Sequence, residues 1–163
     1  MPLVISNASP LIGLCQIKRL DLLKALWTEI TIPAAVYKEV VISGAEKPGA
    51  RMVEKACQDW IHGSAVKNTP EVQALQTVLD AGEAEVITLG QELQADLVIL
   101  DNREPRIFAQ NVGLKIIGTV GMLKLAWQKS LISDPVKELR QLRRDGFWID
   151  DALIDRIRKE TSR

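Results

Sequence analysis

Ala95-Asp-Leu-Val-Ile-Leu100 is an apolar run that ends on an acid, Asp101. From Leu97 to Leu100 it has no polar face. A strand of this kind must be covered on both sides, which is the condition of a central strand in a parallel sheet. Downstream, Arg103 to Asn111 has helical spacing and Val112-Gly113 closes it; Leu114-Lys-Ile-Ile-Gly118 then reads as the next strand. Upstream, Glu83 to Leu93 places Ala84, Val86, Ile87 and Leu89 with helical periodicity. Helix, strand, helix, strand is the pattern of right-handed βαβ crossovers.

The same alternation extends to both ends. Pro2-Leu-Val-Ile-Ser6 and Glu29-Ile-Thr-Ile32 read as buried strands, and Ala65-Val-Lys67 as a short one. Between the first two, Ser9 before Pro10 suits an N-cap, and apolar residues recur from Leu11 through Leu26 with a break. Pro33 ends the second strand, and Val36, Tyr37, Val40 and Val41 repeat as a helix. Ser43 to Gly49 is a loop by composition, Ala50 to Ile61 a helix, and Thr69-Pro70-Glu71 opens another that Asp80-Ala-Gly82 breaks. Thr119 is expected to cap a helix running to Lys129, with Asp134–Arg144 and Asp150–Lys159 as two final helices around Gly146-Phe-Trp148. The expected fold is α/β, three layers around a mainly parallel sheet, with extra C-terminal helices. We expect one domain over 1–163, divided into a core of about 1–130 and a helical appendage of about 131–163.

The totals narrow the function. Twenty-one basic and twenty-one acidic side chains cancel, so the chain as a whole does not attract nucleic acid and any grip on RNA must be a local patch. Cys15 and Cys57 lack Cys-x-x-Cys spacing and read as buried free thiols in a reducing compartment. Met1 to Ser6 has no basic, apolar leader, and no apolar run approaches the ~20 residues of a membrane span. The expectation is a cytoplasmic protein with no membrane partner. His62 is the only histidine and makes no zinc site alone. No Gly-x-Gly-x-x-Gly follows the first strand, which argues against a nucleotide cofactor.

Sites in open parallel sheets form beyond the carboxyl ends of the strands. Asn7 follows the first strand and Asp101 the central one; Glu39 lies in the helix after the second strand, and Glu83 opens the helix before the central one. Each has a structural alternative: Asn7 as a turn residue, Glu39 as a solvated helix face, Glu83 as an acid favoured by a helix N-terminus. As a set, these oxygen donors would repel one another unless a cation joined them. Oxygen ligands without Cys or His select Mg²⁺ or Mn²⁺. Asp101 alone at a strand end also allows a phosphoacceptor. Arg103 and Arg106, just beyond Asp101, are candidate RNA phosphate contacts or else a solvated face; Arg140, Arg143 and Arg144 read as a solvated face. Of the four tryptophans, Trp148 after Gly146 is the best candidate for an exposed base-stacking platform.

Ile5-Ser-Asn-Ala-Ser-Pro-Leu-Ile12, Ile32-Pro-Ala-Ala-Val-Tyr-Lys-Glu39, Leu79-Asp-Ala-Gly-Glu-Ala-Glu-Val-Ile87 and Leu97-Val-Ile-Leu-Asp-Asn-Arg103 stand in the order of PIN-domain signatures. The chain resembles that family, in particular a PIN-like subgroup of unknown function. The likeness continues through Ile116-Ile-Gly-Thr-Val-Gly121 to Gly146-Phe-Trp-Ile149. The resemblance implies a PIN fold and a metal-dependent endoribonuclease, often the toxin of a toxin–antitoxin pair. It implies an RNA substrate, a homodimer and a small antitoxin partner. By position Glu39, Glu83 and Asp101 match the catalytic, metal-binding acids, and Ser9 the hydroxyl residue that supports them. Asn7 stands where the family usually has Asp, and Asn102 near where a further acid often follows. An amide oxygen can coordinate a hard cation but brings no charge, so the expectation is Mg²⁺ or Mn²⁺ weakly held, one ion rather than two. The alternative is a catalytically weak or silent PIN-like module that binds RNA or a protein.

Overall fold

The computed structural model describes residues 1–162. Five strands form one sheet in the order β3-β2-β1-β4-β5, every neighbouring pair parallel. They are β1 (Val4–Ser6), β2 (Ile30–Pro33), β3 (Ile61–Ser64), β4 (Leu97–Ile99) and β5 (Ile116–Ile117). Val98, Ile99 and Leu100 are completely buried, as an apolar run with no polar face requires. Each such side chain stabilises the fold by about 1.5–3 kcal/mol through burial. The architecture is the three-layer α/β/α fold expected, with helices on both faces of the sheet.

Helices α1 (Ala8–Gln16) and α2 (Asp21–Trp27) join β1 to β2. A short α3 (Ala34–Tyr37) and α4 (Pro48–Ala56) lead to β3. Next come α5 (Thr69–Leu75) and α6 (Ala81–Glu92), the latter lying across β2, β1 and β4. After β4 and β5 come α7 (Arg103–Asn111) and α8 (Thr119–Gln128). Two last helices, α9 (Pro135–Arg144) and α10 (Asp151–Thr161), complete the chain. Leu139, Leu142, Ile154 and Ile157 of these two helices belong to the same buried cluster as the sheet residues.

Several local expectations are corrected. The third strand is not Ala65–Lys67: the backbone N–H groups of Lys67 and Asn68 bond the carboxylate of Glu92 at the end of α6, so this stretch cannot extend the sheet. Instead α4 stops at Ala56, short of the expected Ile61, and Ile61 pairs with Ile30 as the one fully buried residue of an edge strand. Ser9 is not a cap. Asn7 is the extended N-cap of α1, and Pro10 falls in the first turn, where a missing N–H costs no bond. Asp80-Ala-Gly82 is a start rather than a break: Asp80 caps α6, with Glu83 as its capping-box partner. Gly118, not Thr119, is the N-cap of α8. Cys15 is buried as expected, but Cys57 is only half-buried at the end of α4. Burial pushes the Cys15 thiol up to about 11, so it is inert at neutral pH.

A candidate acidic site at the crossover of the sheet

The strand order reverses beside β1, with β2 on one side and β4 on the other. This is the switch point at which open α/β sheets leave a crevice. Asn7 and Asp101 emerge on its two sides. Val4, Ile5 and Ser6 pair with Leu97, Val98 and Ile99, and the Asn7 N–H then donates to the Ile99 carbonyl at 3.0 Å. The first strand therefore delivers Asn7 to the rim with its backbone already fixed.

Asn7 is buried, at 5% exposure, and its side chain does not cap α1. The carboxamide oxygen instead faces α6. A β-carbon placed on Gly82 would lie 3.2 Å from Asn7 Oδ1 and 3.6 Å from Asp80 Oδ1. Glycine at 82 leaves room for the Asn7 oxygen to approach the helix start; the Asp80 oxygen lies at an ordinary contact distance. Glu83, also buried, is held at both oxygens: the Asp80 N–H donates to Oε1 at 3.2 Å and Asn102 Nδ2 to Oε2 at 2.8 Å. Its own N–H donates to Asp80 Oδ1 at 2.8 Å.

Glu39 arrives from below this pair. The helix after β2 widens into a π-helical turn over Lys38–Ile42, a distortion that often marks functional sites. Its start is held by Glu85 of α6, whose carboxylate accepts the Ala35 N–H at 3.1 Å. Burial, then the negative charges of Asp80 and Glu83, push the Glu39 carboxyl above its usual range. Among the described residues no ion pair relieves Glu39, Asp80 or Glu83.

Asp101 is differently placed. Thr119, fully buried at the start of α8, donates its N–H to Oδ1 at 2.7 Å and its hydroxyl to Oδ2 at 2.7 Å. Burial raises the Asp101 carboxyl; the Thr119 donors, the Arg106 charge and the Ser9 hydroxyl pull it partly back. Arg106 also donates to the Leu100 carbonyl at 3.2 Å. Because Ser9 and Thr119 are helix first-turn residues rather than caps, their hydroxyls are free for this carboxylate.

The expected residues thus fall into two adjoining groups. Asn7, Glu39 and Glu83 gather around Asp80; Asp101 sits with Ser9, Thr119 and Arg106; Asn102 bridges the two through Glu83. The set is oxygen-only and negatively charged, which suits a hard divalent cation in kind. Among the described residues no three Asp, Glu, His or Cys side chains are gathered closely enough to hold an ion by themselves. Arg103 and Arg106 line a cleft that opens beside Asp101. The second basic cluster lies elsewhere: Arg143 pairs with Asp151 and Arg144 with Gln141, in solvent. His62 is on the exposed edge strand, 3.5 Å from Glu29.

Sequence reading missed Asp80, Glu85 and Thr119. Asp80 was legible as the first member of an Asp-x-x-Glu capping box. Thr119 follows a strand end just as Asn7 and Asp101 do. Glu85 has no local signal, since its bond spans fifty residues of sequence.

Among family comparisons, the model of a PIN-domain family, DUF3368, matches residues 3–163. No curated protein matches the chain. No helix among the described residues is long and apolar enough to cross a membrane.

Proposed function

This chain belongs to the PIN-domain family, a nuclease-like module, and from that premise we propose that it is a metal-dependent endoribonuclease acting as the toxin of a toxin–antitoxin pair. Its substrate is RNA, and its partners are a second copy of itself and a small antitoxin protein. The observation that carries the nuclease reading is the convergence of Asn7, Glu39, Asp80 and Glu83 at the sheet crossover, with no cationic side chain among the described residues paired to them. Mg²⁺ or Mn²⁺ would be held there by Asn7, Glu39 and Glu83, with Asp101 across the crevice. Such a cation acidifies water and neutralises charge on a phosphodiester.

The chain's own residues prepare that chemistry. Asp80 and Asn102 fix the two oxygens of Glu83, so that its carboxylate does not reorient as charge develops. Thr119 and Ser9 donate to Asp101 and offset part of the burial that raises its carboxyl pKa. Arg106, anchored on the Leu100 carbonyl, and the exposed Arg103 present guanidinium groups for the RNA phosphates on either side of the scissile bond.

A second reading, a catalytically silent RNA- or protein-binding PIN-like module, is favoured by two features. Asn7 lacks the charge of an Asp, and both oxygens of Asp101 are already engaged by Thr119. One titration separates the two readings: cleavage of a structured RNA by EDTA-stripped protein as Mn²⁺ is added, with Asp101→Ala alongside. Mn²⁺-dependent cleavage lost in the variant is the expected result. No cleavage by the wild type at any Mn²⁺ concentration would leave the silent module.

A further inference from the structure

The cleft beside Asp101 has a volume of about 870 Å³ and continues away from the acidic site to the last helix. Among the described residues its cations are Arg103 and Arg106 near Asp101, then Lys124 of α8 and Arg156 of α10 farther along. Trp148 lines the same cleft. At 83% exposure it is by far the most solvent-accessible tryptophan, yet its backbone is pinned on both sides. Before it, Gly146 turns the chain at φ 102°, the Phe147 N–H bonds Leu142 at 2.9 Å, and the Phe147 ring packs against Gly13. After it, Ile149 is buried and Asp150 caps α10 through the Leu153 N–H at 2.7 Å. Two anchored neighbours in an irregular segment hold one large flat ring out into solvent. A tryptophan serving the core would face the other way. Glu160, from α10, reaches into the cleft as well: it bonds Lys124 at 2.7 Å and lies in the field of Arg156.

We infer that the C-terminal segment turns this cleft into a subsite for one unpaired nucleotide of the RNA, Trp148 stacking on its base and Lys124 and Arg156 contacting the flanking phosphates. Glu160 weakens the grip by competing for both cations. The inference rests on the nuclease reading for its substrate but not on cleavage. An indole face accepts any base, since every base has a π-face, but it needs that face uncovered. The subsite therefore selects for single-strandedness beside the cut rather than for sequence. The charge pattern fits, because a neutral chain gains affinity for a polyanion only where its cations cluster.

The test is anisotropy of a labelled oligouridylate of about ten nucleotides, a length within the usual single-strand site sizes, with the full chain in EDTA so that binding is read without cleavage. Trp148→Ala should weaken binding about 5- to 150-fold, the range of one base stack, with no change in the salt slope. Trp148→Phe should recover much of the loss. Lys124→Ala should lower the slope of log K against log salt by about 0.7, as for one phosphate on a single strand. Glu160→Gln should tighten binding. A blunt RNA duplex should bind, if at all, independently of Trp148. Because Trp148 is exposed, a folding defect does not confound its removal, and an unchanged melting temperature verifies this. Wild-type affinity in Trp148→Ala, or no binding of oligouridylate by the wild type, overturns the subsite. The two proposals fail separately. Trp148-dependent binding without Mn²⁺-dependent cleavage keeps the subsite and removes the nuclease. Cleavage whose KM ignores Trp148 keeps the nuclease and removes the subsite.

Discussion

Thr119→Val replaces the hydroxyl that holds Asp101 with a methyl group of the same shape. In the folded chain Thr119 Oγ1 donates to Asp101 Oδ2 at 2.7 Å, in a site where the threonine itself has no solvent contact. The valine leaves the backbone N–H on Oδ1 intact but removes the Thr119 hydroxyl from Oδ2. A hydrogen bond to a charged group contributes about 1.5–3 kcal/mol net, and a buried acceptor left without its donor costs a similar amount. For a chain of this size each kcal/mol moves Tm by about 2–4 °C, so the variant should melt about 3–12 °C lower at neutral pH. The pH dependence identifies the cause. Thr119 favours the ionised carboxylate, so its removal raises the Asp101 pKa further. Once Asp101 is protonated, the lost donor matters less, and the deficit should shrink in acid. Differential scanning calorimetry of both proteins in EDTA, from acid to neutral pH, measures this. A variant that melts with the wild type at neutral pH refutes the reasoning. So does a deficit of the same size at every pH, which would mean lost packing rather than a lost charge-assisted bond.

Two further outcomes follow from the acidic group. Asn7→Asp adds a buried charge beside Glu39, Asp80 and Glu83; in EDTA it should melt lower than the wild type, and Mn²⁺ should raise its Tm more. Equal Mn²⁺ shifts in the two proteins would take Asn7 out of any cation site. Glu39 holds its proton more tightly folded than unfolded, because burial, Asp80 and Glu83 all raise its pKa above 4.5. Such a group favours the fold while protonated and costs stability as pH rises through its folded pKa. The stability of metal-free Glu39→Gln relative to wild type should therefore grow between about pH 4 and pH 7, read by urea unfolding at each pH. A flat difference would show that Glu39 is not under this strain.

How much of the site was readable varies residue by residue. Asp101 could be found from sequence, because a polar residue ending an apolar strand has few structural uses. Glu83 was singled out, but its environment was not: the Asp80 capping box is local, while the Asn102 bond to its other oxygen comes from beyond β4. Ser9 and Thr119 show the limit most clearly. Local rules made both of them helix caps, and in both cases the helix begins one or two residues earlier and the hydroxyl serves Asp101 or its surroundings instead. Capping preferences compare a side chain with its own backbone and omit a buried carboxylate arriving from another strand. The third strand was misplaced for a similar reason. Ile61 alone carries the burial on the β3 edge, and one buried residue is too little periodicity to distinguish a strand from the tail of a helix.

The sequence by itself determined the α/β alternation, the burial of Val98–Leu100 and the family signatures, and it offered Asn7, Glu39, Glu83 and Asp101 as candidates. The alternation and the burial follow from side-chain period and composition, which act over a few residues; the signatures are a resemblance carried by local motifs. Only the tertiary structure decided that Asn7 and Asp101 flank the crossover of the sheet, that Asp80 and Glu83 press on Glu39, that Thr119 closes over Asp101, and that Trp148 stands out beside Lys124 and Arg156. Each of these depends on strand order and on contacts between distant segments. Strand order comes from how whole faces are buried against one another, and no local stretch of sequence carries that quantity.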